Sequence, residues 1–152
     1  PARLHEAVGS LADWLCQLAR GEDPREVRPD RPTKSVSEES TYAEDLLDLE
    51  LIRSEIEAMA RAVAATLERK RLAARTVTIK VRYPDFTTVT RSHTCEPATR
   101  DPARLAERAA ALLERTQAGR RPVRLLGAGA HGLVEDRAPA SGSAEAVLPL
   151  NL

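Results

Sequence analysis

The sequence predicts an α+β domain of order β-α-β-β-α-β: a four-stranded antiparallel sheet with two helices on one face, preceded by a further helix. Three observations carry this. Leu49, Ile52, Ile56, Met59, Ala60, Val63 and Leu67 recur at the helical period. Val77, Ile79, Val81 and Tyr83 alternate with Thr78, Lys80 and Arg82, the period-two pattern of a half-buried strand. Asp101 followed by Pro102 opens a second long helix, with a carboxylate cap and a proline at its first position. A chain of 152 residues holds one domain of ordinary size with short appendages. Hydrophobic residues reach 42% but aromatics only 3%, so the interior is built mainly from Leu, Val, Ile and Ala.

Taken in order, Leu4, Val8, Leu11, Leu15 and Leu18 precede Gly21 at helical spacing, which predicts one opening helix over 1–21. Glu22 to Pro32 carries three prolines and alternating charges and reads as an extended linker. The stretch from Thr33 to Tyr42, rich in Ser and Thr, is the first strand, and the long helix follows it. Pro84 and Asp85 signal a turn, so Thr87 to Cys95 pairs with Val77 to Tyr83 as a hairpin. Leu105, Ala109, Leu112 and Leu113 stripe the second helix, which Gly119 ends; Pro122 to Leu126 is the last strand. The domain therefore occupies 33–135 in a split β-α-β arrangement whose second sheet face is left open. From Asp136 to Ala146 the composition turns to Ala, Ser, Gly and Pro, a flexible tail over 136–152.

The 23 basic and 23 acidic residues cancel. They are unevenly spread, however. Glu38, Glu39, Glu44, Asp45, Asp48, Glu50, Glu55 and Glu57 are opposed only by Arg53, whereas bases dominate from Arg69 to Arg124. The expectation is one basic face and one acidic face, with solvated segregation as the alternative. No apolar run approaches the roughly 18 residues of a membrane span, and no signal peptide opens the chain, so the expected setting is cytoplasmic. Cys16 and Cys95 stand far apart, and His5, His93 and His131 are scattered, so no metal site is expected.

Chemistry-bearing motifs are few. Gly127-Ala128-Gly129-Ala130-His131-Gly132 is a formal G-x-G-x-x-G, but no helix follows to hold a pyrophosphate, and it reads as a strand end. No nucleophile elbow and no spaced aspartates for two magnesium ions are found, so no catalytic residue is expected here. Lys34-Ser35-Val36-Ser37 and Thr88-Val89-Thr90-Arg91-Ser92-His93-Thr94 place hydroxyls and cations along extended backbone. Such groups can bind phosphate oxygens without reading bases. Strand propensity on a wet face accounts for the same residue types.

Three segments, in order, resemble the little-finger domain of Y-family translesion DNA polymerases of the DNA polymerase IV type. Lys34 to Tyr42 is similar to its K-S-x-x-x-E-x-T-F/Y opening strand, Asp85 to Ser92 to its D-F-x-x-x-T-R-S hairpin, and Arg121 to Gly127 to its R-P-V-R-L-L-G closing strand. The resemblance covers about residues 1 to 135 and implies that 1–21 is the last thumb helix. It implies that the fragment comes from an error-prone polymerase of DNA damage tolerance whose palm, with its magnesium ions, lies upstream, so that the fragment itself needs no cofactor. Carried over by position, it implies contacts to primer–template backbones from Lys34, Ser35, Ser37, Thr41, Thr90, Arg91, Ser92, Thr94 and Arg124. His93 departs from the pattern where a second arginine is frequent, and Cys95 where a larger apolar residue is usual. Val147-Leu148-Pro149-Leu150-Asn151-Leu152 resembles the Q-L-x-L-x-L peptide that holds the bacterial sliding clamp, with Val147 in place of glutamine. Val147, Leu148, Leu150 and Leu152 would make that contact, on a spacer reaching on the order of 18 Å. Two alternatives stay open: a catalytically inactive accessory protein with the same fold, working through protein partners, and an unrelated small α+β enzyme with an enclosed pocket.

Overall fold

The computed structural model describes residues 2–30 and 32–136. The clamp-type residues Val147, Leu148, Leu150 and Leu152 lie outside the described residues. The chain divides into two compact units, Pro1–Pro32 and Thr33–Leu152.

In the first unit the expected single helix is two, α1 (Ala2–Val8) and α2 (Leu11–Ala19). The break falls at Gly9, whose φ of +59° is a left-handed conformation that costs glycine little because it has no Cβ. Its N–H closes α1 on the carbonyl of His5 at 2.9 Å. Ala12 is buried, while Trp14 is partly exposed with the Arg25 guanidinium 5.4 Å from its ring centre. Arg25 also grips Asp23 with two nitrogens, at 2.8 and 2.6 Å, and this holds the Asp23 carboxyl down at about 2. Residues 22–30 form no helix or strand.

The second unit runs β1 (Ser35–Leu46), α3 (Leu49–Arg69), β2 (Leu72–Arg82), β3 (Thr88–Thr99), α4 (Pro102–Leu113) and β4 (Val123–Glu135). Each helix opens on an aspartate. Asp48 accepts from the N–H groups of Glu50 and Leu51, and Asp101 from that of Arg104 at 2.8 Å, with Pro102 beginning the helix. The four strands form one antiparallel sheet in the order β1-β4-β2-β3. β1 and β2 flank β4, and β3 and β4 flank β2, so each crossover helix carries the chain past one strand.

The period of two decides which side chains meet the helices. Val77, Ile79 and Val81 of β2 and Leu126, Ala128 and Ala130 of β4 point to α3 and α4, joining Ile52, Ile56, Val63 and Leu67 of α3 and Leu105, Ala109, Leu112 and Leu113 of α4 in one core. Ala60, Ala64, Ala106 and Ala109 are small enough for helices and sheet to approach closely, which fills a core almost without aromatic rings. Tyr83, 1% exposed, is the exception; its hydroxyl accepts the N–H of Gln117 at 2.9 Å and ties the hairpin to the end of α4. On the β1 side, Tyr42 donates to the Glu55 carboxylate of α3 at 2.9 Å. Partial burial, reinforced by that carboxylate, holds the Tyr42 phenol well above its usual range.

The largest departure from the sequence reading concerns β4. The strand does not end at Leu126 but continues to Glu135, so Gly127 to Gly132 lie in a central strand, with Gly127 to His131 paired on both sides. Two neighbouring ladders stabilise a glycine-rich stretch that local propensity disfavours as strand.

Ile79→Ala is expected to lower unfolding stability by about 2–5 kcal/mol, and Asp101→Ala by about 1 kcal/mol through loss of the cap, both read by urea denaturation. Because the phenol of Tyr42 is harder to ionise folded than unfolded, its contribution is full below a pH of about 10 and falls as the pH rises further. Tyr42→Phe should flatten that alkaline loss in a stability–pH series.

Candidate functional site

Strand register assembles the sheet face opposite the helices into four cross-strand rows. In the order β1, β4, β2, β3 they are Ser35, His131, Thr76, Thr94; then Ser37, Gly129, Thr78, Ser92; then Glu39, Gly127, Lys80, Thr90; then Thr41, Leu125, Arg82, Thr88. Directly opposed residues of antiparallel strands share a face, so these sixteen positions form one surface. The outer strands contribute hydroxyls almost throughout. The two inner strands contribute glycines, threonines and the cations Lys80 and Arg82.

Side chains are linked along these rows. The Thr76 and Thr94 hydroxyls are 2.8 Å apart, Arg82 Nε donates to Thr88 Oγ1 at 2.9 Å, and Lys80 Nζ reaches Glu39 Oε2 at 2.8 Å across Gly127. Gly127 and Gly129 leave a shallow depression of about 170 Å³, bordered by Ser37, Glu39, Thr78, Lys80, Thr90 and His131. A Cβ at Gly127 would stand 3.3 Å from the Glu38 carbonyl oxygen, and one at Gly129 would stand 3.3 Å from His131 Nε2. The glycines thus keep main chain reachable in the middle of the sheet.

Six of the residues singled out from sequence come together here: Ser35, Ser37, Thr41, Thr90, Ser92 and Thr94. Lys34 is exposed immediately before β1. Arg91 is elsewhere. It is paired with core residue Ile79 and therefore points to the helix side, where its Nε donates to the Arg115 carbonyl at 2.7 Å and its Nη1 to its neighbour Thr90's carbonyl at 2.9 Å. Arg124 lies near the hairpin tip, 3.8 Å from Asp45 and 5.5 Å from the ring centre of exposed Phe86. Beside it Arg121 covers the Tyr83 ring and pairs with Asp85 at 2.9 Å. The Asp85 carboxyl is held below its usual range, chiefly by the Thr87 N–H and also by Arg121.

Sequence reasoning did not single out Thr76, Thr78, Lys80, Arg82, Gly127, Gly129 and His131 as site residues. The signal was present, since Thr78, Lys80 and Arg82 are the polar half of the alternation that identified β2. The expected division into a basic and an acidic face is not found. Glu39 lies within the open face, while Arg91, Arg104, Arg108 and Arg115 line the helix side. Charge runs along the chain are redistributed by strand alternation and helix phase.

A wider groove of about 510 Å³ lies between β3 and α4, lined by His93, Cys95, Pro97, Arg104, Arg108 and Leu112 among others. Arg108 Nη2 donates there to the carbonyls of Arg75 and His93, at 2.7 and 2.6 Å, where the β2–β3 register shifts. Its Nε and Nη1 are buried without a hydrogen-bond partner. Among the described residues no cluster of His, Cys, Asp and Glu could hold a metal ion, and no helix is long and apolar enough to cross a membrane.

Residues 33–143 match the model of the impB/mucB/samB family C-terminal domain. The chain belongs to that family. It is 47% identical to the DNA polymerase IV of Alkalilimnicola ehrlichii over 131 residues, which are 86% of this chain and 37% of that protein. It is 42% identical to the DNA polymerase IV of Halorhodospira halophila over 132 residues, 87% of this chain and 37% of that one. The chain thus spans little more than a third of these relatives and corresponds to the C-terminal, little-finger region of Y-family polymerases of the DNA polymerase IV type. In fold it is similar to the little-finger domain solved in a complex of that domain of PolIV with the beta-clamp processivity factor (TM-score 0.53, 24% identity, covering 64% of this chain and 86% of that one). A Y-family DNA polymerase chimera of Dbh and Dpo4 is also similar (TM-score 0.59, 18% identity, covering 88% of this chain and 38% of that one).

The anchoring of Arg91 on the carbonyl of Arg115 gives it a structural part. Arg91→Ala is expected to cost about 1 kcal/mol of stability in urea denaturation, whereas Lys80→Ala, on the open face, should cost less than half as much.

Proposed function

We propose that the open sheet face grips the sugar–phosphate backbones of primer–template DNA for an error-prone polymerase acting in DNA damage tolerance. The observation that carries this reading is the four-row face itself: hydroxyls on the outer strands, with Lys80, Arg82 and two glycines on the inner ones. Three strand spacings of about 4.8 Å make the face about 14 Å across. A B-form major groove is about 12 Å wide, so the outer strands reach the phosphate rows on its two sides. Serine and threonine hydroxyls then donate to phosphate oxygens, Lys80 and Arg82 neutralise charge, and the glycine depression admits the backbone near main chain. None of these groups reads a base edge, so the grip is indifferent to sequence. Metal-dependent nucleotidyl transfer belongs to a palm domain of the longer protein. The family of the chain, and relatives called DNA polymerase IV, support the reading.

In anisotropy titrations with labelled primer–template duplexes, four cations meeting phosphates (Lys34, Lys80, Arg82 and Arg124) give a slope of log affinity against log salt of roughly −3.6. Replacing both Lys80 and Arg82 by Ala should bring the slope to about −1.8 and weaken two unrelated sequences alike. A salt-independent affinity, or a loss confined to one sequence, would refute this role.

The chain's terminal peptide, Val147 to Leu152, is proposed as a second tether, with Leu148, Leu150 and Leu152 entering an apolar groove of the bacterial sliding clamp and Val147 beside them. A solved complex of the beta-clamp processivity factor with the little finger domain of PolIV supports it. Deleting 147–152 is expected to lower clamp affinity at least tenfold in surface-plasmon measurements while leaving duplex affinity unchanged.

A further inference from the structure

The ion pair between Glu39 and Lys80 lies in the middle of the proposed grip rather than at its rim. Glu39 is on outer strand β1 and Lys80 on inner strand β2, and they stand in one row with Gly127 between them. A side chain at that position would come between them; the missing Cβ lets the carboxylate reach over the central strand to 2.8 Å from Lys80 Nζ, with Glu39 Oε2 only 3.4 Å from where that Cβ would be. The carboxylate therefore occupies the space above the glycine depression, beside the ammonium group a phosphate would use. Both side chains keep substantial exposure, 34% for Lys80 and 45% for Glu39, so the pair is solvated and exchangeable. Arg82, in the next row, is bonded to the Thr88 hydroxyl and has no carboxylate in its row.

We infer that Glu39 is an intramolecular stand-in for a phosphate group, occupying Lys80 in the free protein and giving way to the DNA backbone on binding. This rests on the backbone-gripping reading of the open face. A carboxylate and a phosphate diester each present oxygens with a single negative charge, so one ammonium group serves either in turn. Binding then exchanges one ion pair for another, and Lys80 adds less net affinity than an unpaired lysine would. Arg82 acts as the permanent cation and Lys80 as the attenuated one. The consequence is a grip held deliberately loose, suited to a domain that must slide along duplex and let go.

The test uses the 152-residue chain, with Glu39→Gln and Lys80→Ala made singly and together, and the labelled duplexes already described. Circular dichroism and thermal melting check that each variant folds. Glu39→Gln is expected to tighten duplex binding roughly three- to tenfold, since Lys80 then meets phosphate without first giving up a carboxylate. On the Lys80→Ala background the same substitution should give less than half that gain. An equal gain on both backgrounds overturns the inference, because Glu39 would then merely repel DNA. No gain, or weaker binding, overturns it as well and assigns the carboxylate a part in holding Lys80 in place. Absence of duplex binding by the unsubstituted chain would instead refute the reading of the open face.

Discussion

Strand β4 is the constraint on which the rest of the domain depends. It lies between β1 and β2 and alternates Leu126, Ala128 and Ala130 on the helix side with Gly127 and Gly129 on the other. On one side small apolar groups let α3 and α4 lie close to the sheet and close an interior almost without aromatic rings. On the other side nothing projects, so the middle of the sheet is a depression rather than a ridge. A single strand thus sets both the thickness of the core and the relief of the exposed face. Its register matters as much as its composition, because a slip of one residue would send the glycines into the core and the alanines outward.

That relief determines the electrostatics of the face. With no side chain above Gly127, Glu39 crosses from β1 to Lys80 on β2, and an acid from the edge strand becomes part of the central row. Elsewhere on the sheet, polar side chains bond to partners directly across the ladder, as Thr76 does with Thr94 and Arg82 with Thr88. The helix side uses its cations differently. Arg91 and Arg108 donate to main-chain carbonyls of Arg115, Arg75 and His93, so they fasten β3 to α4 and take up carbonyl groups near the sheet edge. Arginines close in sequence to the hydroxyls of the open face therefore do quite different things, according to which side of the strand each occupies.

Much of the fold was legible in the sequence. The apolar stripe of α3, the alternation of β2 and the Asp101-Pro102 start of α4 each follow from a local period or cap, and local rules suffice for them. Gly127 to Gly132 read as a strand end because glycine has poor strand propensity; only the ladders of β1 and β2 on either side make it strand. The opening segment kept a helical period through Val8 and Leu11, so the left-handed turn at Gly9 was invisible to periodicity. Of the site, the hydroxyls of β1 and β3 were found through family resemblance, and Lys80 and Arg82 were passed over although their alternation was in plain view. Arg91 was carried over with Thr90 and Ser92 by its position in the family motif, yet neighbouring strand residues point to opposite faces.

By itself, then, the sequence determined the element order, the apolar face of each element and the family, because these depend on residue types at fixed local spacings. Tertiary structure alone decided the strand order β1-β4-β2-β3, the depth of the open face and the pairing of Glu39 with Lys80, two residues 41 positions apart. The physical reason is that a ladder joins residues by register, not by sequence distance. Which charges share a face follows only once β4 has taken its place between β1 and β2.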